Sequence, residues 1–195
     1  VAAAVARIDA LLEAGQRAAP YRQGATVALF GKVNAGKSSL FNVLLGTDRA
    51  IVTELPGTTR DYLEEILDLD GLPVRLTDTA GLRATDDAIE DMGKKRGLEK
   101  TRRATLGLYV VDGSLPYVPD PEAEAVLAEL GPGKVLAVAA KADLPPAEPA
   151  PLAALAGRGI RGVAVSARTG QGLTGLVAAI RSMLTAEAGP PEPDA

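Results

Sequence analysis

The sequence predicts an α/β fold, with a mostly parallel sheet covered by helices on both faces. Three observations carry that prediction. Short apolar runs alternate with stretches of helical spacing, the pattern of crossover units whose strands are buried on both sides. An Asp70-Gly71 pair separates two strand-like runs and marks one antiparallel hairpin. A glycine-rich stretch joins the first apolar run to the first helical one. A length of 195 residues suits one domain of this kind.

Residues 1–15 have helical spacing, with Val5, Ile8, Leu11 and Leu12 on one side, so residues 1–20 are expected to form a flanking helix. The domain proper is expected over 21–187. Its first strand is the apolar run 25–30, which ends at a glycine, and a helix follows over 36–45. The hairpin strands are 62–69 and 72–76. Two further apolar runs, 106–111 and 135–139, are each followed by loop residues, and 162–165 is the last strand. Helical stretches lie near 88–103, 122–130 and 151–156, with a final helix over 173–184. Pro145, Pro146, Pro149 and Pro151 mark a surface loop. The Pro- and acid-rich residues 188–195 are expected to be a disordered tail.

Composition excludes several chemistries. The chain has neither cysteine nor histidine, which removes disulfides, thiolate and imidazole metal ligands, and every Ser-His or Cys-His triad. Carboxylates, lysines, hydroxyls, backbone groups and bound ions remain. A net charge of −4 and 3% aromatics argue against a dedicated nucleic-acid module. No apolar run approaches the length of a membrane span, and the charged residues Arg7, Asp9 and Glu13 argue against a signal peptide, so a cytoplasmic, non-membrane protein is expected. The first residue is Val rather than Met, as in a fragment of a longer protein.

Gly31-Lys32-Val33-Asn34-Ala35-Gly36-Lys37-Ser38 fits the pattern G-x-x-x-x-G-K-[ST] between a strand and a helix. Glycines let successive backbone N–H groups curl around an anion, and the helix N-terminus adds a favourable dipole. Lys37 would reach the β- and γ-phosphates, and Ser38 would offer its hydroxyl to Mg²⁺. With 21 glycines in the chain, such a match arises by accident in about one sequence per hundred. The loop makes the domain a P-loop NTPase, without deciding among kinases, ATPases and GTPases.

Other stretches narrow the choice. Asp78-Thr79-Ala80-Gly81 ends the second hairpin strand, where a carboxylate can hold Mg²⁺ through water and the Gly81 N–H can meet the γ-phosphate. Thr58 and Thr59 lie in the loop after the first helix, and a threonine there can complete the Mg²⁺ shell. Lys141-Ala142-Asp143 follows the fifth apolar run. An aspartate there accepts two hydrogen bonds from the N1 and N2 edge of guanine, which adenine does not offer, while the Lys141 stem stacks on the base. Ser166-Ala167-Arg168 follows the last strand, where a backbone N–H can reach guanine O6.

With these stations in place, the chain resembles the G domains of the MnmE (TrmE) family of tRNA-modification GTPases. The resemblance rests on Gly24-Ala25-Thr26-Val27, Asn34-Ala35-Gly36-Lys37-Ser38-Ser39-Leu40, Ala50-Ile51-Val52-Thr53 and Pro56-Gly57-Thr58-Thr59-Arg60-Asp61. It continues through Asp78-Thr79-Ala80-Gly81-Leu82-Arg83, Val111-Asp112-Gly113 and Ser166-Ala167-Arg168-Thr169-Gly170, and covers roughly residues 5–185. Der and Era share the GTPase stations, but the stretch from Thr53 to Asp61, with Glu90, looks more like MnmE. The resemblance implies a Ras-like three-layer sandwich with a six-stranded, mostly parallel sheet and one antiparallel strand. It makes residues 1–20 the remnant of a helical domain.

The resemblance also implies a mechanism. Ras-like enzymes orient the attacking water with a glutamine where this chain has Leu82, which cannot hydrogen-bond. Glu90 matches the family's glutamate, which polarises water through a relay. Asn34 matches an asparagine that, with Thr53, Leu55 and Thr58 at the cage positions, holds K⁺ against the phosphates in place of an arginine finger. Family G domains pair face to face when GTP and K⁺ are bound, work with the FAD-dependent MnmG subunit, and meet tRNA only in the full-length complex. The implied function is K⁺-stimulated GTP hydrolysis driving tRNA wobble-uridine modification. The alternatives are a GTP/GDP switch with negligible hydrolysis alone, and a Der- or Era-like ribosome-assembly GTPase.

One position departs from the family pattern. The guanine station there reads Asn-Lys-x-Asp, and here residue 140 is Ala, so guanine choice should survive while affinity falls by about 1–2 kcal/mol. Lys94, Lys95, Arg96, Lys100, Arg102 and Arg103 form a basic run, read first as a solvated helix face.

Overall fold

The computed structural model describes residues 24–47, 64–69, 71–78 and 101–186. Its strands are β1 (Ala25–Phe30), β2 (Glu64–Leu69), β3 (Leu72–Asp78), β4 (Leu106–Asp112), β5 (Val135–Ala140) and β6 (Arg161–Ala164). Its helices are α1 (Lys37–Thr47), α2 (Pro121–Leu130), α3 (Pro151–Ala156) and α4 (Leu173–Ala186), with a 3₁₀ turn at Pro132–Lys134. The expected helix at 1–15, residues 62 and 63, all but the last residues of the expected helix at 88–103, and the tail at 188–195 lie outside the described residues.

The strands form one sheet in the order β2-β3-β1-β4-β5-β6. Every neighbouring pair is parallel except β2 with β3. The predicted architecture is therefore the observed one, antiparallel edge included. In the hairpin, Leu69 pairs with Leu72, which leaves a two-residue turn. Gly71 takes φ of 84° there, and its N–H donates to Asp68 Oδ1 at 2.6 Å.

Side chains alternate across the central strands and so build two cores. Val27, Leu29, Leu106, Leu108, Val110, Leu136 and Val138 face one way and are covered by Leu40, Phe41 and Leu44 of α1 and by Leu176 and Ile180 of α4. Phe30, Tyr109, Val111, Ala137 and Ala139 face the other way, under Val126 and Leu127 of α2 and Leu155 of α3. These are the three layers expected. Burial on both faces explains why β4 and β5 read as unbroken apolar runs instead of alternating ones.

Local chemistry sets the ends of the elements. α1 begins at Lys37, not at Gly36 as expected, because Gly36 has φ of 109° and cannot be helical. α2 starts after Asp120, whose Oδ2 accepts from the Ala123 N–H at 3.3 Å, with Pro121 in its first turn. It stops at Gly131, φ 73°, whose N–H bonds the Leu127 carbonyl. β6 ends at Ala164, one residue earlier than expected, yet the Val165 N–H still donates to the Ala139 carbonyl at 2.8 Å.

Candidate nucleotide site

The loops after β1, β4, β5 and β6 all leave the carboxyl edge of the parallel sheet. β1 is flanked by β3 on one side and β4 on the other, and it is at such an edge that open α/β sheets bind ligands. The site grows from that edge.

The loop after β1 is tightly constrained. Gly31 has φ of 132°, and a Cβ there would stand 2.2 Å from the Val110 carbonyl oxygen, so only glycine lets the chain pass β4. Asn34 takes a left-handed φ of 63°, which its short polar side chain tolerates. The Lys37 side chain is buried, and its Nζ donates to the carbonyls of Gly31 at 2.7 Å and Lys32 at 2.6 Å. The loop thus folds around its own ammonium, holding a positive charge at its centre next to the N-terminus of α1. Such a cradle attracts polyanions.

The loop rests on an aromatic support. Phe30, the residue before Gly31, stacks on Tyr109 at a ring distance of 5.1 Å, and Tyr109 meets Tyr117 edge-on at 6.4 Å. The Tyr117 hydroxyl donates to Glu124 Oε1 at 3.0 Å, and Arg158 donates to both Glu124 oxygens at 2.8 and 2.7 Å. Three of the chain's six Phe and Tyr residues thus stand in line beneath the loop. The Arg158 guanidinium holds the Glu124 carboxyl below the usual range against partial burial, which fixes the far end of the line.

At the far side of β4, two loops meet. Lys141 has φ of 61°, and its Nζ donates to Asp112 Oδ2 at 2.6 Å. Asp112 Oδ1 accepts from the Ser114 N–H and hydroxyl at 2.9 and 2.6 Å. Burial pushes the Asp112 carboxyl up, but these donors outweigh it and hold it below its ordinary value. Asp143 Oδ1 accepts from the buried Ser166 hydroxyl at 2.5 Å, and its Oδ2 from Arg168 Nε at 2.9 Å and also from Arg168 Nη2. The Ser166 hydroxyl, then Arg168, hold the Asp143 carboxyl below its ordinary value despite some burial. The Ala167 N–H makes no hydrogen bond among the described residues.

Of the site residues expected from sequence, the structure gathers Asn34, Ala35, Gly36, Lys37, Ser38 and Ser39 on the loop after β1 and the first turn of α1, with Ser38 and Ser39 exposed. Asp78 ends β3 beside Leu29 of β1. Lys141, Asp143, Ser166, Ala167 and Arg168 converge on the loops after β5 and β6. Thr53, Leu55, Thr58, Thr59, Thr79, Ala80, Gly81 and Glu90 lie outside the described residues. Ala140 is buried, and a Cβ on Gly36 would come within 3.0 Å of its Cβ, so position 140 packs directly against the phosphate loop. Within the basic run, Arg102 pairs with Glu129 at 2.9 Å and Arg103 is exposed. Sequence reasoning gave Asp112 no role, although it anchors Lys141 from 29 residues away. The readable signal is an aspartate at the end of one strand and a lysine immediately after the neighbouring strand.

The family model described as 50S ribosome-binding GTPase matches residues 26–141. The tRNA modification GTPase MnmE of Roseiflexus sp. is 47% identical over 190 residues, covering 93% of this chain and 41% of that protein. The MnmE of Lawsonia intracellularis is 41% identical over 188 residues, covering 95% and 40% respectively. The chain thus spans about two fifths of the length of these curated relatives. Among solved structures, Era from Aquifex aeolicus bound to GDP·AlF4⁻ is 25% identical with a TM-score of 0.60, covering 87% of this chain and 58% of that one. The chain belongs to the 50S ribosome-binding GTPase family, as a GTP-binding G domain similar in sequence to those of the tRNA modification GTPases MnmE.

Proposed function

We propose that this domain binds GTP with Mg²⁺ across the sheet edge and hydrolyses it, stimulated by K⁺ and by pairing of two G domains. It does so within a larger protein that modifies the tRNA wobble uridine with an FAD-dependent MnmG-like subunit. The observation that carries the reading is the pairing of two recognisers on one edge. Lys37 sits wrapped in its loop after β1, and the Asp143 carboxylate lies on the loop after β5, with only β4 between those strands. The first is suited to a triphosphate and the second to the donor edge of guanine. Identity of 41–47% to MnmE, against 25% to Era, favours the tRNA-modification reading over ribosome assembly.

The residues fit a divalent cation shared with the nucleotide. Among the described residues no three His, Cys, Asp or Glu side chains cluster as a cage. Ser38, at the first turn of α1, is a hard oxygen donor of the kind Mg²⁺ takes alongside phosphate oxygens and water. Ser38 and Thr59, with Asp78 through water, would hold it, and its charge would neutralise the β- and γ-oxygens. Asn34, Thr53, Leu55 and Thr58 would hold K⁺.

The chain's own residues do the rest. The loop amides and Lys37 fix the β- and γ-phosphates. Thr58, Thr79, Ala80 and Gly81 would contact the terminal phosphate, Gly81 through its backbone N–H. Glu90, as a carboxylate, orients the attacking water through a relay, since Leu82 cannot. Asp143 and the Ala167 backbone hold the base, with Ser166 and Arg168 on the Asp143 carboxylate and the Lys141 stem against the base face.

GTP turnover by wild type, Glu90→Ala and Asn34→Ala, in K⁺ and in Na⁺ at equal ionic strength, tests this. Faster turnover in K⁺, lost in Asn34→Ala, with Glu90→Ala slow in both salts, supports it. Equal slow turnover in both salts for wild type contradicts it and favours the GTP/GDP switch.

A further inference from the structure

The base-reading carboxylate is already occupied by the protein. Asp143 Oδ1 receives the Ser166 hydroxyl, and Oδ2 receives two donors of the Arg168 guanidinium. A carboxylate has about four acceptor positions, two on each oxygen. Three are filled, and the one left is on Oδ1. Guanine brings two donors to this group, N1–H and N2–H.

The two occupants differ in how freely they can leave. Ser166 is fully buried, and its hydroxyl oxygen also accepts the Thr169 N–H at 3.2 Å, so it is built into the turn after β6. The Arg168 side chain is 72% exposed and holds Asp143 from the solvent side. An exposed ion pair of that kind exchanges readily for water or for another donor.

We infer that Arg168 is a specificity-determining residue that occupies the second guanine acceptor position of Asp143 until a base displaces it. This rests on the guanine-binding reading proposed above and deepens it. With Arg168 in place, Asp143 accepts one base donor, and a purine with N1–H but no 2-amino group is served as well as guanine. Once Arg168 swings out, the second acceptor opens and the 2-amino group counts. Arg168 therefore lowers guanine affinity and narrows the preference for guanine over hypoxanthine.

Equilibrium titration of the full chain with fluorescent GDP and fluorescent IDP, for wild type, Arg168→Ala and Arg168→Met, tests this. Both variants should bind GDP about threefold to fivefold more tightly, the span expected for releasing an exposed ion pair, with IDP shifted less than twofold. The methionine variant keeps most of the side-chain bulk, so agreement between the two assigns the effect to the guanidinium. Unchanged or weaker GDP binding, or equal tightening of GDP and IDP, overturns the inference while wild-type GDP binding keeps the parent reading standing. A wild type that binds neither nucleotide overturns both.

Discussion

Lys37 is a buried cation whose Nζ is held at the centre of the loop by the carbonyls of Gly31 and Lys32. Lys37→Ala should weaken GDP binding by about 100-fold or more, since charge-assisted bonds to phosphate are each worth about 1.5–3 kcal/mol; calorimetry checks this. Position 140 makes the opposite case. Its methyl group sits against Gly36, where an amide side chain would tie β5 to the phosphate loop. Ala140→Asn should tighten GTP binding by about 1–2 kcal/mol, and equal affinity in the two proteins would refute that. Asp112 and Asp143 both lie below their ordinary values when folded. The unfolded chain binds protons there first as pH falls, so their stabilisation is complete above about pH 5 and is lost progressively as pH drops through the folded values. Asp112→Asn should therefore flatten the fall of the urea midpoint between pH 5 and pH 3. Lys37 and Asp143 were legible as candidates because each belongs to a short local motif. The Asp112–Lys141 and Glu124–Arg158 pairs join residues 29 and 34 apart, and only the packing of strands and helices in the folded chain brings such partners together.

At the scale of elements, the phosphate loop is only as well positioned as β1 and β4 beneath it. Tyr109 is fully buried and stacks on Phe30 immediately before Gly31. Tyr109→Ala should cost about 3–5 kcal/mol in urea unfolding, and in the folded fraction it should also weaken nucleotide binding, because the loop loses its floor. A variant that loses stability but binds GDP like wild type would uncouple floor from loop. The strands were readable from composition because β4 and β5 are apolar throughout, and Asp70-Gly71 announced the hairpin. Boundaries were less readable. The motif pattern counts Gly36 with the helix, but its left-handed backbone puts it in the loop. The β6 ladder stops one residue short although its hydrogen bonding to β5 continues.

Over the whole molecule, the sheet order puts phosphate and base recognition side by side, although Lys37 and Asp143 are more than a hundred residues apart. Alternating strands and helices imply a parallel sheet, and the loop motif implies which edge is used; together they make the architecture legible in the sequence. The central claim is that one guanine nucleotide spans that edge, its phosphates on the loop after β1 and its base on the loops after β5 and β6. Competition of ADP against bound fluorescent GDP tests it most directly. Displacement by ADP only at concentrations about 100-fold or more above those needed for GDP is the predicted result, because adenine leaves the Asp143 carboxylate without its donors. Equal displacement by ADP and GDP would contradict it.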